Sequence, residues 1–205
     1  MDAHPNMPAA RSVGRPREFD MDEALDAASR VFRERGYHAT SIADLRAAMH
    51  LTAGSLYKAF KDKRAIFVAV LDRYIASRDA ALAGWLASAR TGREKVLAAL
   101  RSYAEVSHDA EGRRGCLIVG GLSGIDTFDE PLAQRFRQSL SRLERLFAGF
   151  VEQGIRDGSL PARLDPQASA RYLLCVVEGL RVLGKRGAGE DEVEAIVAQA
   201  MQALA

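Results

Sequence analysis

Polar capping residues followed by apolar residues at helical spacing recur along the whole chain, and no run alternates apolar and polar residues as a half-buried strand would. This restricts the fold to packed helices. Asp20 caps a first helix, with Glu23 in capping-box position and Ala24, Leu25, Ala28, Val31 and Phe32 on one face. Gly36 is placed to end it. Ser41, with Asp44 three residues on, opens a second helix whose apolar face is Ile42, Leu45, Ala48 and Met49. Thr52 caps a third with only Leu56 and Phe60 turned inward. Asp62 caps a long fourth helix carrying Phe67, Val70, Leu71, Tyr74 and Ile75.

Beyond Gly92 the texture becomes larger and more variable. Val96, Leu97, Leu100, Tyr103 and Ala104 mark a fifth helix, and "GCLIVGGLSG" predicts a short or irregular one. Leu132, Phe136, Leu140, Leu143, Phe147 and Phe150 keep phase from Pro131 to Asp157, with Gly158 as terminator. Asp165 and Pro166 form a cap and a first-turn proline. The helix they open, "QASARYLLCVVEGLRVL", is apolar nearly all round and must be buried on more than one side. Val193, Ile196, Val197, Ala200 and Leu204 define a last amphipathic helix. The expected architecture is all-α: a flexible polar tail over residues 1–12, a three-helix unit over 13–61 and a larger helical bundle over 62–205.

Composition narrows the class. The 205 residues are 48% hydrophobic, enough for a core, and the net charge of +2 supplies no strong global field. Any attraction to nucleic acid must therefore come from local clustering of cations. Cys116 and Cys175 form no CxxC, which suits a reducing cytoplasm. No apolar run approaches the roughly 20 residues of a membrane span. The expectation is a soluble cytoplasmic protein with no membrane partner. His4, His38, His50 and His108 have no metal-ligand spacing, so neither a metal nor a cofactor is expected. "GLSGI" falls short of a GxSxG nucleophile elbow at Ile125 and follows no strand, and catalysis is not expected.

Two short capped helices joined by a tight turn, Ser41 to Met49 and Thr52 to Phe60, make a helix-turn-helix. Few residues of the second point inward, so most of its surface is free for a partner. Gly54, a costly choice inside a helix, would let its first turn approach a DNA backbone or base edge closely. Thr52, Ala53, Gly54 and Ser55 lie at a helix N-terminus suited to a phosphate. Tyr57 adds a hydroxyl, and Lys58, Lys61 and Lys63 add cationic donors. Arg15 and Arg17, in "GRPRE", form a basic arm of the kind that enters a narrow minor groove.

These residues carry a resemblance. "GRPREFD", followed by "ALDAASRVFRERGYHATSIADLRAAMHLTAGSLYKAFKDKRAIF", resembles the DNA-binding domain of the TetR (tetracycline repressor) family over about Gly14 to Tyr74. The resemblance implies nine or so helices, a homodimer, and a repressor that leaves double-stranded operator DNA on binding a small-molecule inducer. It assigns Ser41 to a phosphate-contacting helix start, Thr52 to Lys58 to the recognition helix, and Lys63 to a phosphate ligand. His50 departs from it, standing where the family carries glycine; histidine is among the side chains enriched at positive φ.

For the second half, Leu173, Val177, Leu180, Val193, Ile196, Val197, Ala200 and Leu204 are candidate dimer contacts, two helices from each subunit forming a four-helix interface, and the same stripes are expected to pack within their own subunit as well. Trp85, Tyr103, His108, Cys116, Phe128, Phe136, Phe147, Tyr172 and Cys175 are candidate ligand contacts, with ordinary core packing as the alternative. Glu178 and Arg181 are spaced i, i+3 on an apolar helix, as either a structural ion pair or a polar anchor at the interface. Cys116 follows Arg113 and Arg114, so it is either a thiol sensor of oxidants and electrophiles or a small buried hydrophobe.

Overall fold

In the computed structural model, residues 20–205 are described; the N-terminal tail and the basic arm with Arg15 and Arg17 lie outside them. Ten α-helices follow in order: α1 (Met21–Ala39), α2 (Ile42–Ala48), α3 (Ala53–Ala59), α4 (Lys63–Leu86), α5 (Gly92–Ala104), α6 (Asp109–Arg114), α7 (Leu117–Leu122), α8 (Glu130–Arg156), α9 (Pro166–Arg186) and α10 (Glu190–Ala203), with one 3₁₀ turn at Ile125–Thr127. No strand occurs among the described residues.

The expected caps set most of the starts. Asp20 accepts from the backbone N–H groups of Asp22 and Glu23, and Ser41 and Asp44 complete a full capping box. Asp62 accepts from Ala65 N–H at 2.7 Å, and Asp165 from Gln167 and Ala168. Gly36 does not end α1: it carries φ 79° as a kink, and helical structure resumes to Ala39. The short α6, not expected from the sequence, has no side-chain cap and starts at Asp109 with φ 50°.

Two cores hold the chain together. One joins α5, α8, α9 and α10 through residues such as Val96, Leu100, Phe147, Leu173 and Leu180. The other joins α1 to α4 and continues into Leu117 and Ile118 of α7 and Leu132 and Phe136 of α8. The N-terminal unit and the larger bundle therefore share apolar contacts on either side of α4. Phe136 lies with its ring centre 5.4 Å from Phe128 and 6.3 Å from Phe67, over Gly121, where a Cβ would clash with the ring. Burial of this size stabilises by roughly 2–3 kcal/mol per aromatic side chain.

Candidate nucleic-acid interface

The turn between α2 and α3 is closed by backbone bonds from His50 N–H to Ala47 O and from Leu51 N–H to Arg46 O. His50 sits there with φ 54°, the left-handed conformation that glycine would adopt freely and histidine tolerates. Thr52 then starts α3: its Oγ1 accepts from Ser55 N–H at 3.1 Å and donates to Ser55 Oγ at 3.0 Å.

Leu56 and Phe60 anchor α3, and Ala53, Gly54, Tyr57 and Lys58 are exposed. Tyr57 is 58% exposed, unusual for so large a side chain on an otherwise well-packed unit. A Cβ at Gly54 would meet nothing within 4 Å. The chain's own packing thus gives no reason for a residue that costs a helix about 1 kcal/mol relative to alanine. Ser41 is exposed, with its hydroxyl donating to Asp44 Oδ2 at 2.7 Å.

Exposed cations occur on and near the two helices, α2 and α3. Lys58 and Lys61 are exposed, and so is Arg46 on α2, which sequence analysis did not single out. None of the three is in an ion pair among the described residues, whereas Arg35 and Arg64 are held by Asp44 and Asp129. Lys63, expected as a phosphate ligand, already has partners within the chain. Its Nζ donates to the carbonyls of Tyr37 and Thr40 at 2.9 and 3.0 Å and lies 4.5 Å from the centre of the Tyr37 ring. Two of its three donors therefore fasten α4 to the end of α1.

The candidate ligand residues do not converge on one site. Tyr103 lines a largely apolar cavity of about 340 Å³ between α4, α5 and α8, together with Tyr74, Arg78, Leu82, Leu140 and Leu143. Cys116 and Phe128 line a different one between α1 and α7. Phe136 and Phe147 are fully buried in the two cores, and Trp85 lies in a shallow groove against α5. His108 precedes α6 with its Nδ1 3.0 Å from Asp109 Oδ2. Tyr172 and Cys175 face solvent on α9.

The candidate dimer contacts pack within their own subunit. Leu173, Val177, Leu180, Val193, Val197, Ala200 and Leu204 are buried in the chain's own core, and Ile196 packs against it. Helical periodicity identified an apolar face without identifying what covers it. The apolar residues left outside on α9 are Tyr172, Cys175 and Val182, the last 57% exposed.

Nor do Glu178 and Arg181 pair. Arg181 is 2% exposed and donates to Ser107 Oγ and Gly115 O, both at 3.1 Å. Glu178 is half-buried, and burial holds its carboxyl above the ordinary value. Gly115 O also accepts from Arg33 Nε of α1 at 2.8 Å, and Lys185 Nζ of α9 donates to the carbonyls of Arg33 and Arg114. Beside this junction the Tyr74 hydroxyl donates to Cys116 Sγ at 3.4 Å, and burial pushes the Tyr74 phenol above its ordinary range. Arg113 is exposed and Arg114 is bound to Glu111.

Among the described residues no group of histidine, cysteine and carboxylate side chains is arranged to hold a metal ion, and no helix is long and apolar enough to cross a membrane.

Two family profiles match the chain: "Bacterial regulatory proteins, tetR family" over residues 24–70 and "Tetracyclin repressor-like, C-terminal domain" over 92–203. The HTH-type transcriptional repressor ComR of Escherichia coli (strain K12) is 31% identical, covering 89% of this chain and 88% of its own. BdcR of the same organism, also an HTH-type transcriptional repressor, is 26% identical over 95% and 94%. A cysteine-substituted form of the TetR family transcriptional regulator CifR, solved with 26-base-pair operator DNA, superposes with a TM-score of 0.81 at 33% identity, covering 93% of this chain and all of that one. Both profiles and these likenesses lead to one assignment: the chain belongs to the TetR family of bacterial transcriptional regulators, DNA-binding proteins and not enzymes.

Proposed function

We propose that the protein is a ligand-responsive repressor that binds a palindromic operator as a homodimer and is released by a small-molecule inducer. The observation that carries this reading is the outer face of α3, where Gly54, Tyr57 and Lys58 are exposed without a packing reason of their own. Thr52, Ala53 and Ser55 offer a helix start to a phosphate, Arg46, Lys58 and Lys61 flank it, and Ser41 begins the preceding helix. Arg15 and Arg17 act as the minor-groove arm. The names of ComR and BdcR and the operator complex of CifR support the repressor assignment.

One helix-turn-helix makes few contacts, and a symmetric pair reading half-sites about 34–36 Å apart multiplies them. The outward stripe of α9, Tyr172, Cys175 and Val182, supports a self-complementary contact between two copies. The inducer occupies the cavity between α4, α5 and α8. Its wall includes Tyr74 and Arg78 of α4, the helix that begins immediately beyond α3, so tilting α4 changes the spacing of the two recognition helices. A ligand does this only through a difference in affinity for the two arrangements. Footprinting on the DNA flanking the gene tests the reading: a palindromic protected site is expected, and uniform coverage or no protection contradicts it.

The contact of Cys116 with Tyr74 supports a second reading, in which this thiol senses oxidants or electrophiles. Alkylation of the purified protein with iodoacetamide is then expected to weaken operator binding, and a Cys116→Ser variant to resist it. Unchanged affinity after complete alkylation removes the idea.

A further inference from the structure

Two cavities in the molecule share a wall. The first is the apolar one between α4, α5 and α8; the second, of about 330 Å³, lies between α1, α4 and α6 and is lined by Arg30, Arg33, Arg73 and Arg114. Tyr74 and Arg78 of α4 line both. The second is the polar side of the pair. Its Arg33, Arg73 and Arg114 are held by Glu111, Asp22 and Asp26, and Arg30 has no ion-pair partner among the described residues.

Arg78 is half-buried, and no carboxylate pairs with it among the described residues. Its Nη2 donates to the carbonyl and hydroxyl of Ser102 at 2.8 and 3.3 Å, and its guanidinium carbon lies 5.2 Å from the centre of the Tyr103 ring. Nε and Nη1 have no acceptor among the described residues, nor does the Tyr103 hydroxyl on the same wall have a partner. The other arginine of the apolar cavity, Arg142, is bound to Asp79. A guanidinium with only neutral partners at the mouth of an apolar cavity keeps donors free for an oxyanion, which accepts from it in short charge-assisted bonds.

We infer that the ligand of this chain is a small amphiphilic monoanion. Its apolar body lies between α4, α5 and α8, and its carboxylate accepts from Arg78 and Tyr103 at the wall facing the arginine-lined cleft. The inference rests on reading the apolar cavity as the inducer site. The volume of about 340 Å³ stands at the lower end of the roughly 300–1,000 Å³ of small-molecule sites, so the body is compact. Because Arg78 belongs to α4, the group that selects the ligand is on the helix that moves.

The test compares sodium octanoate with 1-octanol by calorimetry on the DNA-free protein at matched ionic strength. Octanoate is expected to bind at least about tenfold more tightly, the size of one charge-assisted hydrogen bond. Arg78→Met is expected to abolish that difference, and Tyr103→Phe to lose part of it. Octanol binding as tightly as octanoate, no octanoate binding, or octanoate affinity unmoved by Arg78→Met overturns the inference. Operator binding is measured separately, so failure of the repressor reading is distinguishable from failure of the ligand class.

Discussion

Lys58 and Lys63 stand five residues apart with the same charge, and their surroundings divide their roles. Lys58 is exposed on α3, whereas Lys63 is fastened to two carbonyls at the end of α1. Lys58→Ala is expected to weaken operator binding across sequences and to reduce the salt slope by about one, as one lost phosphate contact does. Lys63→Ala is expected to lower unfolding stability by about 1–2 kcal/mol and to leave that slope in place. Titrations of operator binding over a range of salt, with thermal unfolding of both variants, separate the two; an unchanged slope for Lys58→Ala contradicts its assignment. Gly54 gives the complementary case. Gly54→Ala has open space for its methyl group, so the fold should gain up to about 1 kcal/mol while operator affinity falls. A variant that gains stability and keeps full affinity would remove the close-approach argument.

At the scale of elements, the caps were legible because they are local. Ser41, Thr52, Asp62 and Asp165 lie within three residues of the N–H groups they satisfy, and each starts the helix expected of it. Faces were legible only by half. The period of α9 marked Leu173, Val177 and Leu180 as apolar, but whether a partner or the same chain covers such residues depends on contacts distant in sequence. Arg181 illustrates this: its acceptors, Ser107 and Gly115, are 74 and 66 residues away, beyond any spacing rule. Of the polar groups on the cavity wall, Tyr103 is among the sequence candidates, whereas Arg78 and Tyr74 carry no local signal that marks them. α6 had no local signal, lacking a side-chain cap. One contact between elements has a pH signature. Arg64 of α4 donates to the Asp129 carboxylate at the start of α8, Leu132 N–H adds a second bond, and the carboxyl is held at about 2, below its ordinary 3.8. Since the folded value is the lower, the contribution is fully present above pH 4 and is lost as pH falls towards 2. Asp129→Asn should therefore be less stable than the parent at pH 6, and the gap in melting temperature should narrow as the pH approaches 2. A gap independent of pH contradicts this.

Across the whole molecule, α4 receives contacts from the DNA-binding unit, from α5 and from the cavity, and the apolar core around Phe67, Phe128 and Phe136 continues from one half into the other. Such a molecule should unfold in one transition. Phe136→Ala is expected to lower stability by about 3–5 kcal/mol and to shift the whole transition; two separate transitions in the parent would show that the halves are independent. The route from α9 to α1, through Gly115 O and Lys185, links the proposed dimer face to the DNA-binding unit. Val182→Glu, placing a charge on that exposed stripe, should therefore weaken both self-association and operator binding. The central claim is that two copies present α3 to one duplex. The mass of the complex formed with the footprinted operator, measured by light scattering after gel filtration, tests it most directly. Two chains of 22.3 kDa per duplex are predicted for the parent, with Val182→Glu depleting the complex; a stable complex containing a single chain would contradict the account.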